Sequence, residues 1–235
     1  MESYAYGILC LGLGIYLLSF LLSHRGATLT HRSAAWARLA SSAALVVTAL
    51  IWWIGSGRST SLAGYAAWIF FGMLLSFVGD LIMARVIPLP DHVPAGIVVF
   101  GIAHILYILG YVQASLALSL GNPWAWIIGE GGIFILAVIF WWLLVRAPGS
   151  PPLLRYGSLG YMLLLALMAG TAVSLAIQDH RFLMLATGAI LFMTSDAILG
   201  NRLLRKNDWL LVGDVVWMLY VGGQALIVFS SAALF

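Results

Sequence analysis

Eight runs of about 20 apolar residues, parted by short polar breaks, decide most of what this chain can fold into. They cover roughly 4–22, 35–54, 62–85, 93–117, 124–145, 154–177, 182–203 and 209–233. Wound as α-helices, runs of that length match the hydrocarbon thickness of a bilayer. No water is available there to satisfy backbone N–H and C=O groups, and each unpaired group costs several kcal/mol, so each run must pair its own backbone. The reading is an all-α membrane protein with eight transmembrane helices in one integral membrane domain. Composition leaves no room for a second, soluble domain, because 8% of the residues are charged against roughly a quarter in soluble domains. Breaks such as VIPLPDHVP, SLGNPW, RAPGSPPLLR and RLLRKND hold the proline, glycine and charge that end helices. The 93–117 run is long enough to tilt or break.

Charge orients the bundle. Arg25, Arg32, Arg38, Arg85, Arg146, Arg155, Arg202, Arg205 and Lys206 fall in or beside the odd-numbered loops, and only Arg58 and Arg181 by the even ones. The positive-inside rule then puts the odd loops in the cytoplasm and both termini outside it. Compact loops suggest a bacterial inner membrane. Glu2 precedes the first run and no basic residue does, so that run reads as a retained helix rather than a cleaved signal peptide. The net charge of +3 is scattered over short loops and gives no nucleic-acid footprint. Cys10 is the sole cysteine, which excludes an intramolecular disulfide.

Two runs repeat a local pattern. GMLLSFVGDLIMAR starts at Gly72 and GAILFMTSDAILGNR at Gly188, and each has an aspartate eight residues on, Asp80 and Asp196. The acids lie 116 residues apart, in the third and seventh helices, which run in the same direction. A four-helix unit used twice in parallel, a 4+4 repeat about an axis along the membrane normal, places them at similar depth. Counted back from Arg85 and Arg202, both sit about 8–9 Å in from the same helix ends.

An ionisable group inside a span is costly, on the order of 2.5–3.5 kcal/mol near the bilayer centre, and marks a functional candidate. Two such acids facing each other make a carboxylic acid beside a carboxylate, which is the equipment of general acid–base hydrolysis. His104 lies somewhat deeper in the fourth helix with Tyr107 on its face, and Tyr220 and Gln224 share a face of the eighth. Each has a plainer reading: the acids capped by Arg85, Arg202 or an amide, the others as interhelical hydrogen bonds or packing. Asp214, near the odd-loop end of the eighth helix, reads as solvated, and Glu130, near the other end of the fifth, as interfacial. The residues alone stop at paired intramembrane carboxylates, without a substrate.

FGMLLSFVGDLIMAR, FGIAHILYILGY, GAILFMTSDAILGNR and YVGGQALI, in this order and spacing, resemble the YhhN family of multi-pass membrane proteins, whose characterised activity is lysoplasmalogenase. The resemblance covers nearly the whole chain, including the eight-span layout. It implies hydrolysis of the vinyl-ether bond of a lysophospholipid substrate to a fatty aldehyde and glycerophospho-ethanolamine or -choline. Asp80 and Asp196 would be acid and base in either order. His104, with Tyr107, would orient a carboxyl group or bind the headgroup, Tyr220 and Gln224 would finish the polar pocket, and Arg85 and Arg202 would touch the phosphate. Asp214 and Glu130 match none of these stretches. No cofactor is expected, and the expected partners are the lysolipid and the bilayer. Oligomeric state is not specified.

Two other classes compete. A proton-coupled transporter would use the buried acids as a relay, although the seven prolines fall in or beside loops rather than breaking paired helices. A metal-dependent hydrolase would ligate through Asp80, His104 and Asp196. It would do so without an H-E-x-x-H motif or a second buried histidine, since His24, His31, His92 and His180 all fall in loops.

Overall fold

The structure, a computed structural model, describes residues 2–22, 28–55 and 62–234. Arg25, Arg58 and His24 lie outside them. The helices are α1 Glu2–Leu22, α2 Ala35–Gly55, α3 Ala63–Met83, α4 His92–Ala117, α5 Pro123–Phe140, α6 Pro152–Gln178, α7 Leu183–Arg205 and α8 Val212–Leu234. All eight helices, with the short turns that extend α5 and precede α7, are long and apolar enough to cross a membrane. Their ends follow local chemistry. Asn122 caps α5 by accepting from Trp124 N at 3.0 Å, with Pro123 at the first position, where a missing N–H costs nothing. Lys206 ends α7 in the left-handed conformation, at φ 54°.

The long fourth run does not break, and α4 is one continuous helix. Nor do α3 and α7 unwind at Asp80 or Asp196. His92 and His180 belong to helical turns rather than loops. An irregularity not foreseen is the π turn Trp141–Val145 that finishes α5. A widened turn frees carbonyls from the α-helical ladder, and α7 takes them: Asn201 Nδ2 donates to Leu144 O at 2.8 Å, and Arg205 Nη1 donates to Leu143 O.

Packing repeats from one half to the other. In the first half α1 lies on α2, α2 on α3 and α3 on α4; in the second, α5 on α6, α6 on α7 and α7 on α8. The halves join through α4 against α6 and α8 against α2, two pairs that change places when the halves are exchanged, and also through α3 against α8. Gly72 and Gly188, 116 residues apart, stand at a close helix approach in each half. A Cβ on Gly72 would lie 2.4 Å from the Tyr107 ring of α4, and one on Gly188 would lie 2.6 Å from Gly223 O of α8. Tyr107 and Gly223 are again 116 residues apart. Small residues let helices close up where apolar attraction between them is weak in lipid.

Candidate functional site

The last turns of α3 and α7 and the first turns of α2, α4, α6 and α8 enclose a cavity of about 380 Å³ at the odd-loop end of the bundle. Asp80 and Asp196 both line it. The four even helices present their N-termini toward it, so their backbone dipoles give that end positive potential.

Each carboxyl group is held by one oxygen. Ser42 Oγ donates to Asp80 Oδ2 at 2.5 Å and Tyr220 OH donates to the same atom at 2.8 Å. Tyr161 OH donates to Asp196 Oδ2 at 2.5 Å. Neither Oδ1 has a hydrogen-bond partner among the described residues, and neither is sealed from solvent. The supports are related by the repeat: α2 and α8 hold the acid on α3, while α6 and α4 serve the acid on α7. His104 stands 3.1 Å from Tyr161 OH through Nε2, in the place that Tyr220 takes 116 residues later. Since Tyr161 gives its proton to Asp196, its oxygen accepts from His104 Nε2–H, and His104 Nδ1 is left bare, without a partner among the described residues.

Several sequence expectations need correction. His104 is fully buried and does not line the cavity; it reaches Asp196 only through Tyr161. Tyr107 and Gln224 do not line it either. Tyr107 OH donates to Gln224 Oε1 at 2.7 Å, one turn deeper than Tyr220, and Gln224 Nε2 has no partner among the described residues. With Tyr65 and Ser230 at 2.6 Å, these contacts form a polar seam fastening α8 to α3 and α4. Arg85 is exposed, in a left-handed turn at φ 60°, and lies outside the cavity, whereas Arg202 lines it.

Asp214 is not solvated. It is 1% exposed and accepts from Arg32 N at 2.5 Å, Ser33 N at 3.2 Å and Ser33 Oγ. It therefore ties residues 32–33 to the first turn of α8, because a buried carboxylate needs its lone pairs filled. Glu130 is half-buried between α5 and α6, taking a hydrogen bond from Thr171 Oγ1 at 2.8 Å, with Oε2 unpartnered among the described residues.

Sequence reading missed Ser42, Tyr161, Arg38, His31 and Trp217. The repeat was the usable signal: Ser42 pairs with Ser158 and Tyr220 with His104 at the same 116-residue offset. His31 and His92 line the cavity as well. Even so, no three of the His, Cys, Asp and Glu side chains among the described residues come together as a metal-ligand set. His31 sits under Gly213, where a Cβ would meet its ring at 2.2 Å. Burial first, then the Arg38 and Arg202 guanidiniums, lower its pKa to about 4.

The model of the YhhN family matches residues 34–231. No curated protein and no solved structure matches the chain.

Proposed function

The chain belongs to the YhhN family, and from that premise we propose that it is a membrane-embedded hydrolase of the vinyl-ether bond of lysoplasmalogens, working through Asp80 and Asp196. The supporting observation is that two carboxyl groups, each tethered by one oxygen, offer the other to a single cavity. Tethering fixes the position of a group that must otherwise lose rotamer freedom on reacting, and so favours an attack-ready geometry.

The chemistry asks for that pair. The protonated member gives its proton to the vinyl carbon remote from oxygen, whose π electrons form the new C–H bond. The neighbouring carbon becomes an oxocarbenium ion, stabilised by the other carboxylate. Water adds to that carbon and passes a proton to the carboxylate. The hemiacetal then collapses: its hydroxyl returns a proton to the first acid, and the departing glycerol oxygen takes one from the second. The products are a fatty aldehyde and a glycerophospho-compound. Positive-inside charge supports a cavity that opens toward the cytoplasmic leaflet.

The test is aldehyde release from a lysoplasmalogen by the purified protein, with and without a chelator. General acid–base groups contribute about 10²–10⁴-fold, so Asp80→Asn and Asp196→Asn should each lower kcat by at least about 100-fold, and chelation should leave the rate unchanged. A monodisperse wild-type protein that releases no aldehyde would sink the proposal. So would an Asp196→Asn variant of wild-type rate.

A further inference from the structure

Two guanidinium groups line the cavity, Arg38 from α2 and Arg202 from α7. Neither has spent its donors. Arg38 Nη1 donates to Ser33 O at 2.6 Å and Ser33 Oγ at 3.1 Å, and Arg38 makes no ion pair among the described residues. Arg202 Nε donates to Asp208 at 2.8 Å and Nη2 to Thr30 Oγ1 at 3.2 Å. That leaves Arg38 Nε and Nη2 and Arg202 Nη1 without partners among the described residues, yet open rather than sealed. Five forked N–H donors make Arg the side chain suited to phosphate oxygens. Apart from Asp80 and Asp196, no carboxylate among the described residues lines the cavity; Asp208 pairs with Arg202 and Asp214 accepts from Ser33 beside Arg38, so positive potential there rests on the unspent donors. The convergent helix N-termini add to that potential.

The spacing supplies a ruler. Arg38 lies four residues from Ser42, which holds Asp80, and Arg202 six from Asp196, so along their helix axes the backbones of the arginines stand about 6 Å from Ser42 and about 9 Å from Asp196. A phosphoglycerol unit has that reach. Met83, Ile97, Phe100, Met162 and Leu203 give the same cavity an apolar stretch of wall.

We propose that Arg38 and Arg202 form a receptor for the phosphate of a single-chain glycerophospholipid, and that the protein selects its substrate by this phosphate rather than by the amine attached to it. The inference rests on the hydrolase reading for the site's role, but its test does not. Saturated 1-O-alkyl analogues have no vinyl ether to protonate and bind without being cut. The protein, in a phosphate-free maltoside detergent, is titrated with 1-O-alkyl-glycerophosphocholine, its ethanolamine counterpart and 1-O-alkylglycerol of the same chain length. Binding is followed by tryptophan fluorescence, since Trp217 lines the cavity.

The two phospholipids should bind within about threefold of each other and at least about tenfold more tightly than the alkylglycerol, the gain expected of one charge-assisted contact. Arg38→Gln and Arg202→Gln should each weaken the phospholipids about tenfold and leave the alkylglycerol unchanged, which also shows that the variants are folded. Asp208→Asn, which frees another Arg202 donor, should not weaken binding. Equal affinity for all three lipids would overturn the receptor, as would equal loss for all three in the arginine variants. Inorganic phosphate displacing the lipid at equal concentration would make a free anion the ligand and overturn the headgroup assignment.

Discussion

A half-buried histidine with two guanidiniums as repelling neighbours should make this fold sensitive to pH. The His31 imidazole carries Arg38 and Arg202 as repelling neighbours, with Asp214 and Asp208 as weaker attractions, and Thr30 Oγ1 lies 3.0 Å from its Nδ1. Folding therefore favours the neutral ring. Because its pKa falls from the ordinary 6.5 to about 4, the unfolded chain binds the extra proton between those values. The neutral-ring stability is then fully present above about pH 6.5 and is lost progressively as pH falls toward 4. Thermal midpoints measured across that window at one scan rate should drop less steeply in His31→Gln than in wild type. Identical slopes would show that another group carries the acid sensitivity. The same residue shows why a loop histidine was easy to pass over. Its position in sequence is a loop, and only Gly213, brought over it from α8, makes it part of a cavity.

At the scale of helices, the two halves use one glycine position differently. Gly72 makes room for a phenol ring, a side chain that can shift, whereas Gly188 meets Gly223 O and Ile227 N, which are backbone and cannot. In an open helix Gly→Ala would gain about 1 kcal/mol from propensity. At Gly188 the added methyl must instead push α7 from α8, and overpacking of that kind costs about 1–3 kcal/mol. Gly188→Ala should therefore lower the thermal midpoint in detergent, while Gly132→Ala, with nothing within 4 Å of its Cβ position, should hold or raise it. A Gly188→Ala protein as stable as wild type would mean that these helices do not pack at the depicted distance. The cost falls near the site, since α7 carries Asp196 and α8 carries Tyr220.

For the whole molecule, orientation is the open quantity, and the loops provide its test. With the exposed Cys10 replaced by serine, a single cysteine at Ser150, between α5 and α6 in sequence, should react with an impermeant maleimide only after cytoplasmic access is given. One at Gly121, between α4 and α5, should react from the outer face. The reverse pattern would turn the cavity to the other leaflet. The eight spans, their helical state and the parallel placement of the two acids were legible in sequence. Hydrocarbon thickness, backbone desolvation and the 116-residue repeat are all written along the chain. The partners of those acids were not. Tyr161, Ser42 and Tyr220 reach them from helices 35, 38 and 140 residues away, and a span's apolar pattern in lipid does not say which face meets protein. Nor did anything in sequence separate Arg85, exposed in a turn, from Arg202, turned into the cavity, or a solvated Asp214 from one that ties down residues 32–33. Sequence by itself determined which runs form helices long and apolar enough to cross a membrane and how far along them the acids lie, because those follow from local hydrophobicity and rise per residue. Tertiary structure alone decided which polar groups share a cavity, because that depends on how each helix is rotated about its own axis when the halves close on each other.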